Sequence, residues 1–406
     1  MNIINFCLYA GSNKYGMEYR PYFLAREWSK NHNVYIFASS FSHTRFLQPF
    51  VIKDLDKEVI GNIVFYYLKG ISYSGNGIRR LINYFSFIWK LYRYRNNIVE
   101  LKPDLIIASS TYPLDVFPAY LIAKKTGAKL VTEFPDLMPL TLTDVVGLSS
   151  WHPFVILLEI AERFACRNSD KVVCVLPRSY EHLKTKGLEE NNFVFIPNGA
   201  SETDFENLTD IPESLEHLIC KVRKKSKFIV GYAGYHGILN NLKTLIRTAD
   251  LLRDKDVSFI LVGDGPEKKT LIKFCQDLKL TNVYFYNSID KNSIPLFLKK
   301  MDLLFLAFSR RKIYLYGVNT NKLYDYMMSE VPVLQVQTAG NDLVAESGCG
   351  ISVEAENYRE AAAAVLYMMN LPADERKKMG TAGKKYVLEH NTYSILSKAY
   401  LENIFK

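Results

Sequence analysis

The sequence has few of the features that mark secreted, fibrous or membrane-spanning chains. Its six cysteines, among 406 residues, include no Cys-x-x-Cys pair, so neither a disulfide scaffold nor a zinc site is predicted. No apolar run approaches the roughly 18 residues that cross a bilayer. The first residues, MNIINFCLYAGSN, lack the basic start and long apolar core of a signal peptide. We therefore expect a soluble protein of a reducing, cytoplasmic compartment.

The residues that are abundant predict a folded chain of two domains. Apolar residues make up 48% of the chain, and 51 Lys and Arg against 42 Asp and Glu give a net charge of +9. Short apolar runs alternate with amphipathic helical segments on both sides of a polar stretch after Asn198-Gly199. Buried strands separated by helices are typical of parallel sheets covered on both faces. We predict an α/β fold with Rossmann-like domains at 1–200 and 201–385, and a final helical segment, 386–406, that could pack on either.

Glycines follow several of the predicted strands. Ligands of open parallel sheets bind beyond the carboxyl ends of the strands, where glycine lets the backbone approach a diphosphate or a sugar. The glycines at these positions are Gly11, Gly16, Gly234, Gly237, Gly263 and Gly265. Their spacing is not that of a dinucleotide fingerprint, and ordinary strand-to-helix turns remain an equal alternative.

Three polar residues near these turns are candidates for catalysis. Glu133 and Asp136 follow the run AKLVTEF, where a carboxylate could act as a base or accept a hydrogen bond from an incoming hydroxyl. His236 lies between two glycines at a strand end. The alternatives are helix capping by Asp136 and a plain turn at His236.

The segment from 316 to 327 contains the strongest ligand signal. Asn321 and Lys322 begin a predicted helix, and Asp325 lies one turn further on. The N–H groups of a helix start and a lysine attract a phosphate. Asp325 could accept two hydrogen bonds from a ribose diol.

Taken in order, these motifs resemble the retaining glycosyltransferases of family four, and in particular the branch that builds bacterial O-antigens and capsules. The resemblance covers nearly the whole chain and rests on the segments GSNKYGMEYRPYFLAREW, KPDLIIASSTYPLDVFPAYLIAKKTGAKLVTE, DLMPLT, WHPF, IPNG, GYAGYHG, LVGDGPE and NTNKLYDYM followed by EVPVL. It implies the GT-B fold, with two domains that face a central cleft. It also implies an acceptor site in the first domain, a nucleotide-sugar site in the second and a last helix, 386–406, that crosses back.

The family's pair of acidic residues, eight positions apart, is only half present. Asp325 matches the second position, the expected ribose ligand, whereas the first falls on Gly317. The basic pair that often follows the first strand of the second domain would fall on Tyr235 and Asn240. We therefore expect Lys322 or the run at 310–312, Arg-Arg-Lys, to supply the positive charge. The residues expected to hold the donor are Gly11, Gly16, Gly234, Gly237, Asn240, Gly263, Gly265, Asn321, Lys322, Leu323 and Asp325.

The reaction implied is transfer of a sugar from UDP to an acceptor hydroxyl with retained configuration, without a metal or another cofactor. The sugar would be an N-acetylated hexosamine or a 6-deoxy amino sugar, and the acceptor a saccharide on polyprenyl diphosphate. Asp54-Leu55-Asp56 resembles a metal-binding DxD motif, but it precedes a predicted strand instead of a donor site, so we discount it.

Residues 76–99 contain five basic residues and no acidic one, with Ile82, Phe85, Trp89 and Tyr92 at helical spacing. This pattern favours a helix that docks on an anionic membrane, which would place the protein on the inner face of the cytoplasmic membrane. The alternative is an ordinary amphipathic helix. Two other functions stay open: a sugar-nucleotide 2-epimerase of the same fold, and a basic nucleic-acid-binding protein, although no nucleic-acid motif is present.

Overall fold

The chain folds into two units, each built around its own sheet, in a computed structural model that describes residues 1–75, 77–205 and 208–406. The first unit contains residues 1–197 and 393–406, and the second contains residues 198–392. Asn76, the first residue of the basic segment, and residues 206 and 207 of the polar stretch lie outside the described residues. The first unit thus ends close to the expected position 200. Residues 386–392, however, belong to the second unit instead of the final segment.

The strands divide between the units in chain order. Those of the first unit are β1 (Asn2–Phe6), β2 (Asn33–Ser39), β3 (Asp56–Ile60), β4 (Ile63–Leu68), β5 (Leu105–Ala108), β6 (Lys129–Phe134), β7 (Lys171–Cys174) and β8 (Phe193–Phe195). Those of the second are β9 (Phe228–Ala233), β10 (Val257–Val262), β11 (Val283–Tyr286), β12 (Leu303–Ala307), β13 (Val333–Val336) and β14 (Gly350–Val353).

Helices connect the strands. Those of the first unit are α1 (Arg20–Trp28), α2 (Ile78–Arg93), α3 (Arg95–Val99), α4 (Val116–Thr126), α5 (Met138–Asp144), α6 (Pro153–Asn168) and α7 (Tyr180–Leu183). Those of the second are α8 (Glu213–Arg223), α9 (Leu242–Leu251), α10 (Lys268–Asp277), α11 (Ile294–Lys299), α12 (Asn321–Met328), α13 (Leu343–Ser347), α14 (Tyr358–Asn370) and α15 (Ala373–His390). The last helix, α16 (Tyr393–Phe405), returns to the first unit.

Both sheets have a doubly wound order, which confirms the predicted fold class. The first runs β3-β4-β2-β1-β5-β6-β7-β8 and the second β11-β10-β9-β12-β13-β14. In each sheet the chain first moves to one side and then to the other, so the direction reverses between β1 and β5 and between β9 and β12. Ligands of such sheets bind at these switch points, beyond the carboxyl ends of the strands.

The second sheet is covered on both faces, as a parallel sheet requires. Alternate residues of its strands belong to different apolar clusters: Ile229 and Ile260 to one, and Val230 and Phe259 to the other. In the first sheet all pairings are parallel except that of β3 with β4. Strand β3 was not predicted, because this edge strand is only partly buried and its residues, DKEVI, are mostly polar.

Helix α16 packs on α1 within the first unit. The indole N–H of Trp28 donates to the carbonyl of Ser397 at 3.0 Å, and its ring lies 5.1 Å from that of Tyr400. Lys129, at the start of β6, donates to the carbonyl of Ile404 at 2.8 Å. These bonds attach the end of the chain to α1 and β6.

A buried ion pair joins α1 to the centre of the first sheet. Arg20 Nε lies 3.2 Å from Glu133 Oε1, and both side chains are almost fully buried. Arg20 also donates to the carbonyls of Ile196 and Pro197, at 3.0 and 2.5 Å. The pair therefore fixes α1, β6 and the end of β8 relative to one another.

We predict that Arg20→Met destabilises the first unit by about 3–5 kcal/mol, because it leaves the buried Glu133 carboxylate without its partner. Urea denaturation measures this effect. The control is Arg163→Met, which breaks an exposed pair with Glu159 and should cost less than about 1 kcal/mol. Equal effects of the two changes would contradict the structural role of the Arg20–Glu133 pair.

Candidate active site

In the second unit, the loops after β9 and β10 touch through two glycines. A Cβ on Gly263 would lie 1.9 Å from the carbonyl oxygen of Gly234, and both residues have a positive φ, +147° and +149°. Only glycine allows this backbone approach without strain. The His236 N–H donates to the carbonyl of Asp264 at 2.8 Å, and the Glu267 N–H donates to that of His236 at 3.0 Å. The two loops therefore form one rigid structure beside the β9–β12 switch point.

Lys322, from the first turn of α12, lies against these loops. A Cβ on Gly234 would be 2.7 Å from Lys322 Cδ. The ammonium group donates to the Tyr232 hydroxyl at 3.2 Å and to Asn240 Oδ1. Burial lowers the pKa of Lys322 to about 7, because a desolvated ammonium is costly unless an anion is near. The structure thus brings together Gly234, Asn240 and Lys322, which the sequence placed in separate motifs.

Some of the other residues predicted to bind the donor lie near Lys322, and others contribute to the packing of the domain. Gly265 lies against the backbone of His236, and Gly237 against the ring of Tyr235. Asn321 is exposed at the start of α12, and Asp325 is half-buried one turn later. Leu323 is buried in the core, and its N–H already donates to the carbonyl of Thr320 at 3.1 Å. We therefore assign Leu323 to packing instead of ligand contact.

Gly317 has a backbone conformation that glycine adopts freely but that would strain an acidic residue, which explains why no acidic residue is present there. Its φ is +114°, a conformation that side chains rarely adopt. The next residue, Val318, exchanges hydrogen bonds with the Asn341 side chain at 2.7 and 3.1 Å. The Asn319 side chain accepts from the Asn198 N–H at 3.2 Å, which joins this loop to the start of the unit.

The basic run at 310–312 is less suited to the donor site than Lys322. Arg310 pairs with Glu354 at 2.7 Å, and its N–H donates to Glu356 at 3.0 Å. Lys268, which the sequence analysis missed, is a second cation near the glycines. It donates to the carbonyls of Gly263 and Tyr286 and to the Asn287 side chain, so it holds the edges of β10 and β11 together.

His236 is buried beneath the glycines instead of standing at the surface. Its side chain is inaccessible to solvent, and neither ring nitrogen has a hydrogen-bond partner among the described residues. A Cβ on Gly263 would lie 3.2 Å from His236 Nε2. Burial, with the charges of Lys268 and Lys322, lowers the pKa of His236 to about 4. A neutral, enclosed imidazole supports the loops, and this position does not favour the predicted role near the reacting atoms.

In the first unit, the predicted glycine loop closes on itself. A Cβ on Gly11 would lie 1.7 Å from the carbonyl oxygen of Gly16, and the space beside Gly16 is filled by the ring of Phe46. The Gly11 N–H donates to the carbonyl of Glu18 at 2.8 Å. The loop is thus packed against its own chain. This packing favours an ordinary strand-to-helix turn over an open loop that binds a phosphate.

Three carboxylates act electrostatically on Cys7, which follows β1 at the switch point of the first sheet. Burial raises the pKa of the Cys7 thiol, and the charges of Glu18, Asp115 and Glu133 add to this. Burial raises the pKa of Asp115 to about 7. Its Oδ2 accepts from the Ser110 N–H at 3.0 Å, while Oδ1 has no partner within the part of the chain that the structure describes.

Of the predicted carboxylates, Asp136 is better placed for chemistry than Glu133. Glu133 is enclosed and paired with Arg20. Asp136 is half-buried beyond the end of β6, where its charge acts on Cys174 at the end of β7. Burial raises the pKa of Asp136, although a hydrogen bond from Thr141 opposes this.

Glu18 and Asp115 were not predicted as site residues, although both lie in segments that carry the resemblance, because no spacing or neighbouring residue distinguishes either carboxylate. Arg80, from the basic segment, stacks over the rings of Tyr9 and Tyr112 and donates to the Tyr9 hydroxyl at 3.2 Å. Its charge lowers the pKa of Glu18 against the effect of burial. The only signal in the sequence was that each of these carboxylates follows a strand candidate.

Comparison with known proteins identifies both halves of the chain. Residues 15–203 match the family model described as Glycosyltransferase Family 4, and residues 219–386 match that described as Glycosyl transferases group 1. The colanic acid biosynthesis glycosyl transferase WcaI of Escherichia coli (strain K12) is 27% identical over 203 residues. That match covers 50% of this chain and 50% of WcaI, so the chain spans about half the length of this relative.

Solved structures share the fold over the full length. Sucrose-phosphate synthase (tll1590) from Thermosynechococcus elongatus superposes with a TM-score of 0.75 at 14% identity, over 99% of this chain and 97% of that one. Anabaena Alr3699/HepE in complex with UDP and glucose gives 0.67 at 14%, over 100% and 99%. The fold is thus GT-B. With the two domain models and WcaI, it supports a glycosyltransferase of the GT-B type.

We predict that His236 makes the stability of the second unit depend on pH between 6.5 and 4. The unfolded histidine takes up a proton near pH 6.5, whereas the folded one does so at about 4. The unfolded state therefore binds more protons in this window, and stability falls as the pH falls, by up to about 3 kcal/mol. His236→Leu should remove this part of the pH dependence.

Urea denaturation at several pH values measures the difference between the variant and the wild type. His217→Gln, a change at an exposed histidine, is the control. At pH 8, His236→Leu should be neutral or stabilising, because it removes buried nitrogens that lack partners. A parallel pH dependence in His236→Leu and the wild type would refute the assignment.

Proposed function

We propose that the protein is a retaining glycosyltransferase that moves a sugar from a UDP-sugar to a saccharide carried on a polyprenyl diphosphate, in bacterial surface polysaccharide synthesis. The observation that carries the proposal is the position of Lys322. This half-buried cation lies in the first turn of α12 and against Gly234, at the carboxyl edge of the second sheet.

The proposed role of Lys322 follows from its surroundings. The helix start and the ammonium together attract a diphosphate, and Gly234 lets the lysine side chain lie directly against the backbone of the loop after β9. Because burial disfavours the charged lysine in the free protein, an arriving anion restores its charge. Charge that develops on the departing UDP is then stabilised in a partly desolvated site, where such interactions are strong.

The donor nucleotide and sugar are supported to different degrees. Asp325, three residues after Lys322 on α12, would accept hydrogen bonds from the ribose diol. UDP as the nucleotide is supported by the HepE structure, which contains UDP. Because Gly317 offers no side chain, other groups must recognise the sugar, such as an N-acetylated hexosamine or a 6-deoxy amino sugar.

On the acceptor side, Asp136 is the carboxylate that we assign to the incoming hydroxyl. It is half-buried at a strand end, and the raised pKa that burial causes suits a group that accepts a proton during transfer. Attack on the same face that UDP leaves would retain the configuration. Similarity to WcaI, which is described as a colanic acid biosynthesis glycosyl transferase, supports a saccharide acceptor.

The proposed lipid carrier agrees with the outer face of α2. Ile78, Ile82, Phe85 and Trp89 are all exposed along one line of this helix. Within the described residues, no helix is both long and apolar enough to cross a membrane. We propose that α2 lies on an anionic membrane, at the inner face of the cytoplasmic membrane. No observation favours the epimerase or the nucleic-acid-binding alternative.

A thermal-shift screen of UDP-, GDP- and dTDP-sugars tests the donor. A ligand of the native state raises the melting temperature, and we expect this for UDP-sugars. Asp325→Ala should weaken UDP binding, measured by calorimetry, by about 1–3 kcal/mol through loss of the ribose contacts. Lys322→Met should weaken it at least as much, whereas Arg310→Met, which breaks the pair with Glu354, should not.

The contribution of Lys322 should depend on pH. Above pH 7 the free lysine is largely neutral, so UDP binding must be accompanied by proton uptake, and the affinity should fall as the pH rises. Lys322→Met should lose this uptake. Full UDP affinity in both the Asp325 and the Lys322 variants would refute the donor site.

Asp136→Asn should lower turnover by about 100-fold, because the amide cannot accept the acceptor proton. UDP affinity should stay the same, since Asp136 belongs to the first unit. Transfer assays with the UDP-sugar found in the screen measure the first effect and calorimetry the second. Glu133→Gln is the comparison, and we expect it to act mainly on stability. A fully active Asp136→Asn enzyme would remove this residue from the site.

A further inference from the structure

Large apolar side chains are exposed in two loops of the first unit besides α2. In the loop after β2, Phe50 is 89% exposed and Ile52 is 70% exposed. In the loop between α5 and α6, Trp151 is 83% exposed and Val146 is 60% exposed. Large apolar side chains exposed together at one place on a soluble protein usually mark a binding surface.

The topology places both loops at the carboxyl edge of the first sheet. The loop at 40–55 follows β2, which pairs in parallel with β1. The loop at 145–152 precedes α6, and a helix that connects parallel strands begins at the carboxyl edge and returns to the amino edge. Helix α2 follows β4 and begins at the same edge, because β4 is parallel to β2.

Contacts show that α2 has one of these loops on each side. On one side, Lys90 of α2 bonds to Asp54 at 2.7 Å, next to Ile52. On the other side, the ring of Tyr84 of α2 lies 5.1 Å from that of Tyr112, which in turn lies 5.3 Å from that of Phe154. Phe154 is three residues after Trp151 in the first turn of α6. The two loops therefore flank α2, and the exposed apolar side chains of the helix and of the loops are together called the rim.

The charge around the rim is positive. On α2, Arg79 and Arg93 are exposed, and Arg95 is exposed just after it. Arg93 stacks over the ring of Trp89 at 5.4 Å. Asp54, an acidic neighbour, is neutralised by Lys90. Arginines beside aromatic and aliphatic side chains complement an anionic lipid surface.

We propose that the whole rim, and not α2 alone, enters an anionic bilayer, with Trp151 and Phe50 inserted on opposite sides of α2. The proposal rests on the membrane association proposed above and specifies the surface. The rim borders the carboxyl edge of the first sheet, so a lipid-linked diphosphate reaches the β1–β5 switch point from the membrane surface.

The three tryptophans permit a direct test with the full-length protein. Trp28 is buried, whereas Trp89 and Trp151 are exposed. The variant Trp89→Phe retains Trp151 as its only exposed tryptophan. The variant Trp151→Phe retains Trp89 as its only exposed tryptophan. We measure fluorescence with vesicles of phosphatidylcholine and phosphatidylglycerol in equal amounts, with and without brominated acyl chains as quenchers. Both variants should show a blue shift and quenching.

The outcomes separate this proposal from the earlier ones. Quenching of Trp89 but not of Trp151 would overturn the rim and leave α2 as the membrane surface. If neither tryptophan is quenched, both the rim and α2 are excluded as membrane surfaces. The double variant Trp89→Phe with Trp151→Phe, in which only buried Trp28 remains, should show no change, and the UDP thermal shift reports on the donor site independently.

Vesicle flotation provides a second readout. Phe50→Ser with Trp151→Ser should lower binding by about tenfold or more, because two large apolar side chains no longer insert. Leu251→Ser, at an exposed leucine of the second unit, should not change it. Unchanged flotation of the loop variant would contradict insertion. A second result would also contradict insertion: the wild type binds no vesicles but self-associates, and the loop variant abolishes this self-association. The surface would then be occupied by a second copy of the chain.

Discussion

Parallel pairing is the constraint on which the rest of this structure depends. Strands that run in one direction must be joined by helices that return outside the sheet, so every loop after a strand emerges at the same edge. In the second unit this edge holds Gly234, Gly263 and the start of α12. In the first it holds Cys7 with its three carboxylates. The polar residues are thus collected by topology, and the glycines determine how closely their loops can approach.

Lys322 shows how the packing of loops at this edge positions a charged side chain. The loops after β9 and β10 meet only because Gly234 and Gly263 lack side chains, and their contact creates the surface on which the lysine lies. Tyr232 and Asn240 hold its ammonium in place, yet neither carries a charge to balance it. In the transfer proposed above, a cation held in this way would interact more strongly with an anion than with neutral groups, so its contribution would rise as the leaving group gains charge.

The buried strands and the helices between them could be predicted from the sequence, whereas the edge strand and the buried carboxylates could not. Strands such as β9 and β10 are buried throughout, so each is an unbroken apolar run. The edge strand β3 has an exposed side and lacks such a run. Asp325 and Lys322 could be found because a helix start has a recognisable pattern. The group of Glu18, Asp115 and Glu133 could not, because its members are brought together only by the pairing of β1 with β5 and of β5 with β6.

The number of basic residues in the segment 76–99 does not show which of them lie on the inner face of α2 and which lie on its outer face. Successive residues of a helix are 100° apart, so Arg80 and Lys90 lie on the inner face, where they bond to Tyr9 and Asp54. Arg79 and Arg93 lie beside the outer apolar line. One helix thus uses two of its cations to hold the first unit together and leaves the others at the surface. Because the inner pair fixes the direction in which Phe85 and Trp89 point, the internal bonds of α2 also determine the orientation of its apolar face.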